Sequence, residues 1–136
     1  MKASISFPEL SDIILDKAGQ NISFGFVDEK TIHVTYQLDL GIFKKDLSVD
    51  LIVEELRGSD LLVQVSAGKG MEALISTALN LLKNKIPEGL IEKEPDYRFL
   101  LHLDKIEQVK PVFDAITVSE LRVFDKGLEV EGAIKA

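Results

Sequence analysis

The hydrophobic period of this chain changes from two to about 3.6 at one place, the run Ala67-Gly68-Lys69-Gly70, and that switch limits what it can fold into. Before it, Ile32, Val34, Tyr36 and Leu38 alternate with Thr31, His33, Thr35, Gln37 and Asp39, the pattern of a strand with one dry face and one wet face. After it, Met71, Leu74, Ile75, Ala78, Leu81, Leu82 and Ile86 share one stripe, while Glu72, Ser76, Asn80, Lys83 and Asn84 fall outside it. This predicts an amphipathic helix from about Met71 to Ile86. Glu72 in its first turn and Lys83 and Lys85 in its last suit the helix dipole, and Pro87 and Gly89 end the run.

Other segments repeat the period of two. Asn21 to Val27 reads as a strand, and Asp28-Glu29-Lys30 supplies the polar loop of a hairpin with the next one. Leu47 to Leu56 places Leu47, Val49, Leu51 and Val53 on one face, and Leu61 to Val65 follows the turn-prone Arg57-Gly58-Ser59-Asp60. Such short turns force antiparallel pairing, because a parallel crossover takes a dozen or more residues. The stretch from Gly41 to Lys45 joins the two hairpins into a meander. Ser6-Phe7-Pro8-Glu9 begins an N-terminal helix of at most three turns.

Beyond the central helix, Tyr97 to Leu103 reads as a strand, and Asp104 with Glu107 has capping-box spacing for a short helix that Pro111 limits. The chain closes with strands at Ile116 to Phe124 and Leu128 to Ile134 around Asp125-Lys126-Gly127, read as a three-residue loop with glycine in a left-handed conformation. The apolar phase slips between Val118 and Leu121, which predicts a bulge near Ser119 or Glu120. The expected fold is α+β: a curved antiparallel sheet of about six to seven strands packed on one central amphipathic helix, with one or two short extra helices, in a single domain over residues 1–136.

Charge and composition narrow the function. A formal net charge of −7 gives no electrostatic footprint for nucleic acid, so no nucleic-acid partner is expected. The absence of cysteine removes disulfides, thiolate metal sites and a cysteine nucleophile. No stretch approaches the ~18 apolar residues of a transmembrane helix, and Met1 to Ser6 lacks a charged segment leading into an apolar run. The expectation is a soluble cytoplasmic protein, with a removed export leader as the alternative.

No constellation demands a particular chemistry. His33 and His102 each sit on an expected strand with no carboxylate at ligand spacing, so both are read as structural and no metal is expected. The serines form no nucleophile elbow, and Gly68-Lys69-Gly70 lacks the spacing and the Lys-Ser/Thr of a phosphate loop. The acidic pairs Asp28 with Glu29, Glu54 with Glu55 and Glu92 with Glu94 lie in turns or on alternating positions, which reads as solvated surface. Neither an enzyme nor a cofactor is expected.

The apolar inventory says more. Leu51-Ile52-Val53, Leu61-Leu62-Val63 and Phe99-Leu100-Leu101 are apolar on both strand faces, so something must cover the second face. The order of strands, helix at Met71 to Ile86, and a closing hairpin Ile116-Thr117-Val118-Ser119-Glu120-Leu121-Arg122-Val123 with Gly127-Leu128-Glu129-Val130-Glu131-Gly132 resembles bacterial members of the tubular lipid-binding superfamily. That resemblance implies a long helix in a curved antiparallel sheet, an apolar seam between them, and non-catalytic binding of a lipid-like ligand. On the amphipathic pattern, the groove-lining residues are expected to be Leu74, Ile75, Ala78, Leu82 and Ile86. The alternative is an interaction module that uses an apolar face or edge strand to form a homodimer or join another protein.

Overall fold

The structure, a computed structural model, describes residues 1–39, 41–42, 44–66, 75–76, 80, 89–107 and 109–135, without the side chains of residues 18, 38 and 39. In chain order the elements are β1 (Lys2–Ser6), α1 (Phe7–Ala18), β2 (Ile22–Asp28), β3 (Thr31–Asp39), β4 (Lys44–Arg57), β5 (Asp60–Ser66), β6 (Ile91–Glu94), β7 (Arg98–His102), a 3-10 turn (Leu103–Lys105), α2 (Lys110–Ala115), β8 (Ile116–Phe124) and β9 (Gly127–Ile134). The fold is α+β, but its nine described strands form two antiparallel sheets, neither closed on itself, rather than the single sheet of about six to seven strands that the alternation predicts, because β1, β8 and β9 pair apart from the other six.

The larger sheet runs β2-β3-β4-β5-β7-β6. Its first four strands form the meander expected from the short turns, with Asp39 opposite Lys44 and Arg57 opposite Asp60. Gly58 supplies the positive φ that the tight β4–β5 turn requires. β4 is 14 residues long and carries a bulge between Val53 and Glu55. The smaller sheet runs β1-β9-β8, so the first strand of the chain pairs with the last. β1 alternates through only two apolar residues, Ala3 and Ile5, and β6 has one, Ile91; the sequence reading missed both strands.

The two sheets meet at the β2–β3 turn. The Lys30 carbonyl accepts a 2.7 Å hydrogen bond from the Val53 amide of β4, and the Glu29 carbonyl accepts one of 2.9 Å from the Val123 amide of β8. Asp28 shapes this turn by accepting the Lys30 amide at 2.9 Å. Both apolar faces converge here: Val123, at 2 % exposure the most deeply buried of the described side chains, packs with Phe7 and Ile32, flanked by Phe24, Val34 and Leu128.

α1 begins where Ser6-Phe7-Pro8-Glu9 predicts. The Ser6 hydroxyl accepts the Glu9 amide and the Glu9 carboxylate accepts the Ser6 amide, a reciprocal cap. Its 12 residues end at Gly19 in the left-handed conformation.

Three further sequence expectations are corrected. Asp104 caps no helix; α2 starts later, and Pro111 sits in its first turn, where the missing amide costs nothing. The β8–β9 connection is a two-residue turn, since Phe124 pairs with Gly127. Gly127 is a glycine for another reason than a positive φ: a Cβ there would overlap the Ile5 carbonyl of β1. The bulge in β8 lies between Val118 and Glu120, as the slipped phase predicts. As for the central helix, Ile75, Ser76 and Asn80 are helical, and the rest of Met71 to Ile86 lies outside the described residues. So does Gly68-Lys69-Gly70.

Candidate functional site

Register turns the strand alternation into a continuous surface. Ile22, Tyr36 and Leu47 stand opposite one another across β2, β3 and β4; Phe24, Val34 and Val49 form the next row, and Phe26, Ile32 and Leu51 the third. The same face continues through Val53, Val63 and Phe99 on β4, β5 and β7, and through Leu61, Leu101 and Ile91. On the smaller sheet, Ile5, Leu128 and Val123 share a row, as do Ala3, Val130 and Leu121. Leu121 reaches the larger sheet's face beside Val53, Leu61, Val63 and Phe99. The apolar faces of both sheets therefore line one trough with its apex at β8.

Among the described residues, the trough is only partly covered. Ile22, Phe24, Val34, Val49, Leu51, Val65, Ile91 and Leu101 remain half-buried, and Phe26 is 46 % exposed. A filled core would bury such residues almost completely. Ile75 lies over the first row, against Tyr36 and Leu47 together with Ile22 and Val49. Of the five residues expected to line a groove, Ile75 is thus placed on the trough; Leu74, Ala78, Leu82 and Ile86 lie outside the described residues. The strand residues of the trough were legible as a dry face in the alternation but were not read as site residues. The phenol of Tyr36 donates to Gln20 Oε1 at 2.6 Å, and burial pushes its pKa up, so this wall stays neutral.

The opposite face of the larger sheet is polar and cross-linked in pairs. His33 Nδ1 lies 2.8 Å from Asp50 Oδ1, Thr35 Oγ1 lies 3.3 Å from Ser48 Oγ, and Arg98 Nε donates to Glu54 Oε2 at 2.7 Å. His102 has a carboxylate at each ring nitrogen, Asp60 at 2.6 Å from Nδ1 and Glu92 at 3.3 Å from Nε2. Both histidines are thus paired with acids far away in sequence, which spacing along the chain cannot reveal. Ile52, Leu62 and Leu100, the residues that made strands apolar on both faces, also lie here; Leu62 and Leu100 stand opposite each other and remain half-buried.

Two polar depressions lie beside the sheets. One of about 400 Å³ lies between α1 and the β2–β4 strands, lined by Ser11, Asp12, Leu15, Asn21, Ile22, Ser23, Thr35, Gln37 and Asp46. Another of about 180 Å³ lies where the β4 and β8 bulges meet, among Lys30, Glu54, Glu55, Ser119, Glu120 and Arg122. Among the described residues, no group of three or more His, Asp and Glu side chains is arranged to hold a metal ion. No helix among them is long and apolar enough to cross a membrane. Comparison with protein-family models, with curated proteins and with solved structures gave no match.

Proposed function

We propose that this chain binds an apolar, lipid-like ligand without catalysis, against the trough of the two sheets on which Ile75 lies. The supporting observation is the continuous row structure of half-buried apolar side chains, which a hydrocarbon chain would complete as a core. Magnitudes select long chains. Each buried methylene contributes roughly 0.8 kcal/mol, so about fifteen give roughly 12 kcal/mol before association costs of at least ~4 kcal/mol. The remaining ~8 kcal/mol corresponds to micromolar affinity. A short chain would wash out during purification.

Extracting the purified protein with organic solvent and measuring mass spectra is the direct test. Co-purified lipid, or a rise in melting temperature on adding long-chain fatty acid or phospholipid, is expected. Val49→Gln, in the half-buried second row, should abolish either signal while the protein still unfolds cooperatively. A lipid-free wild type with no thermal response would sink the reading.

One observation favours a homodimer instead. β2 is an edge strand without lysine or proline, and its Phe26 and Val27 are about half exposed, the profile of an edge open to strand addition. A dilution-resistant dimer without ligand, seen by light scattering, would favour that reading over the carrier.

A further inference from the structure

The β3–β4 hairpin ends differently from the three two-residue turns of the sheets. The β2–β3, β4–β5 and β8–β9 turns present Glu29-Lys30, Gly58-Ser59 and Asp125-Lys126, all suited to water. The tip between Asp39 and Lys44 reads Leu40-Gly41-Ile42-Phe43 and carries no charge. Ile42 is 95 % exposed, the most exposed of the large apolar side chains described. Directly behind it stand Lys44 and Lys45, both exposed.

We infer that this tip docks on a membrane surface containing anionic lipid, with Ile42 entering the headgroup boundary and Lys44 and Lys45 meeting lipid phosphates. An apolar residue at a hairpin apex leaves water only by entering an apolar phase, and a bilayer accepts a single protruding tip without a shaped pocket. Charge complementarity names the lipid. At a strand rise of ~3.3 Å, Lys44 begins only about 7 Å behind Ile42, and its four-methylene stem carries the ammonium forward toward the headgroups.

Asp39 stands opposite Lys44 and Asp46 follows Lys45. Asp46 is one residue further from the tip than Lys45, and its carboxylate, on one methylene, reaches less far than a lysine ammonium. The net charge of −7 does not prevent docking. Charges more than a Debye length of ~8 Å from the headgroups are screened at physiological salt, and a tip-first approach keeps most of the molecule beyond it. Two lysines are too few to hold a membrane alone, so the apolar residue and the charges act together.

The hairpin also points away from one end of the trough. Past the row of Tyr36 and Leu47, on which Ile75 lies, the strands continue only to Leu38 opposite Lys45 and Asp39 opposite Lys44 before the tip. Tip-first docking therefore turns that end of the trough toward the bilayer. The inference rests on the tip and stands whether or not the trough holds a ligand.

Co-sedimentation with phosphatidylcholine vesicles, with and without phosphatidylglycerol, tests it. The wild type should sediment with the anionic vesicles, weakly and reversibly, with binding that falls as salt rises. Ile42→Asp should lower binding by about tenfold or more, the factor for withdrawing one isoleucine from an apolar phase. Lys44→Glu with Lys45→Glu should remove the preference for anionic vesicles. Because the chain has no tryptophan, Ile42→Trp reports the tip alone, and its emission should shift to the blue with anionic vesicles.

Failure of the wild type to sediment, undiminished binding by Ile42→Asp, or equal binding to neutral vesicles would each overturn the inference. So would a wild-type dimer that Ile42→Asp converts to monomer, which would make the tip a contact between copies. Lipid extraction reads the trough separately, so the two proposals fail by different signals.

Discussion

His102 Nδ1 lies 2.6 Å from Asp60 Oδ1, directly opposite it in the β5–β7 register, while Glu92 on the edge strand β6 approaches the other ring nitrogen. Only the imidazolium can donate to both carboxylates, since a neutral ring donates through one nitrogen. Protonated, His102 ties three neighbouring strands together; neutral, it leaves one carboxylate facing a lone pair.

This arrangement predicts how stability depends on pH. The hydrogen bond that the ring donates to Asp60 raises the imidazole pKa most, burial opposes it, and Glu92 adds to the rise. A group whose pKa is higher in the folded chain binds its proton more tightly there. Its contribution is therefore fully present below the unfolded value of about 6.5 and is lost as pH rises through the higher folded value. His102→Gln should lower the urea midpoint at mildly acidic pH, above the carboxylate range, and should match the wild type at alkaline pH. A gap of equal size at both ends would show that the ring contributes only packing.

Gly127 makes a second prediction. A Cβ at this buried position would overlap the Ile5 carbonyl, a backbone atom that cannot move without breaking the β1–β9 pairing. Gly127→Ala should destabilise the fold by about 1–3 kcal/mol or more. Gly19, with open space around it, is the control for glycine loss by φ strain alone. Urea titration of both variants checks this, and a Gly127→Ala variant as stable as wild type would contradict the close approach.

Tyr36 separates packing from polarity in the trough. Tyr36→Phe removes the hydrogen bond to Gln20 but keeps the ring against Leu47, Ile22 and Ile75. It should cost about 0.5–1.5 kcal/mol in stability and leave uptake of a fluorescent fatty acid unchanged. Loss of uptake in this variant would mean that the phenol itself contacts the ligand.

Local physics was legible along the chain. The alternation from Thr31 to Asp39 marked β3, Ser6 with Glu9 marked the start of α1, the slipped phase near Ser119 marked the bulge in β8, and short turns marked the antiparallel meander. Each depends on residues within a few positions of one another, where period, cap and turn chemistry act.

Tertiary structure decided what distant segments become to each other. It set β7 between β5 and β6, joined β1 to β9, and used the Glu29-Lys30 turn to bring the two sheets together. Those choices placed Asp60 and Glu92 on His102, made Gly127 a matter of close approach, and aligned separate dry faces into one trough. Periodicity tells each strand which side is apolar. Which side chains then meet depends on register between strands that can lie more than a hundred residues apart, as β1 and β9 do, and no local pattern encodes it.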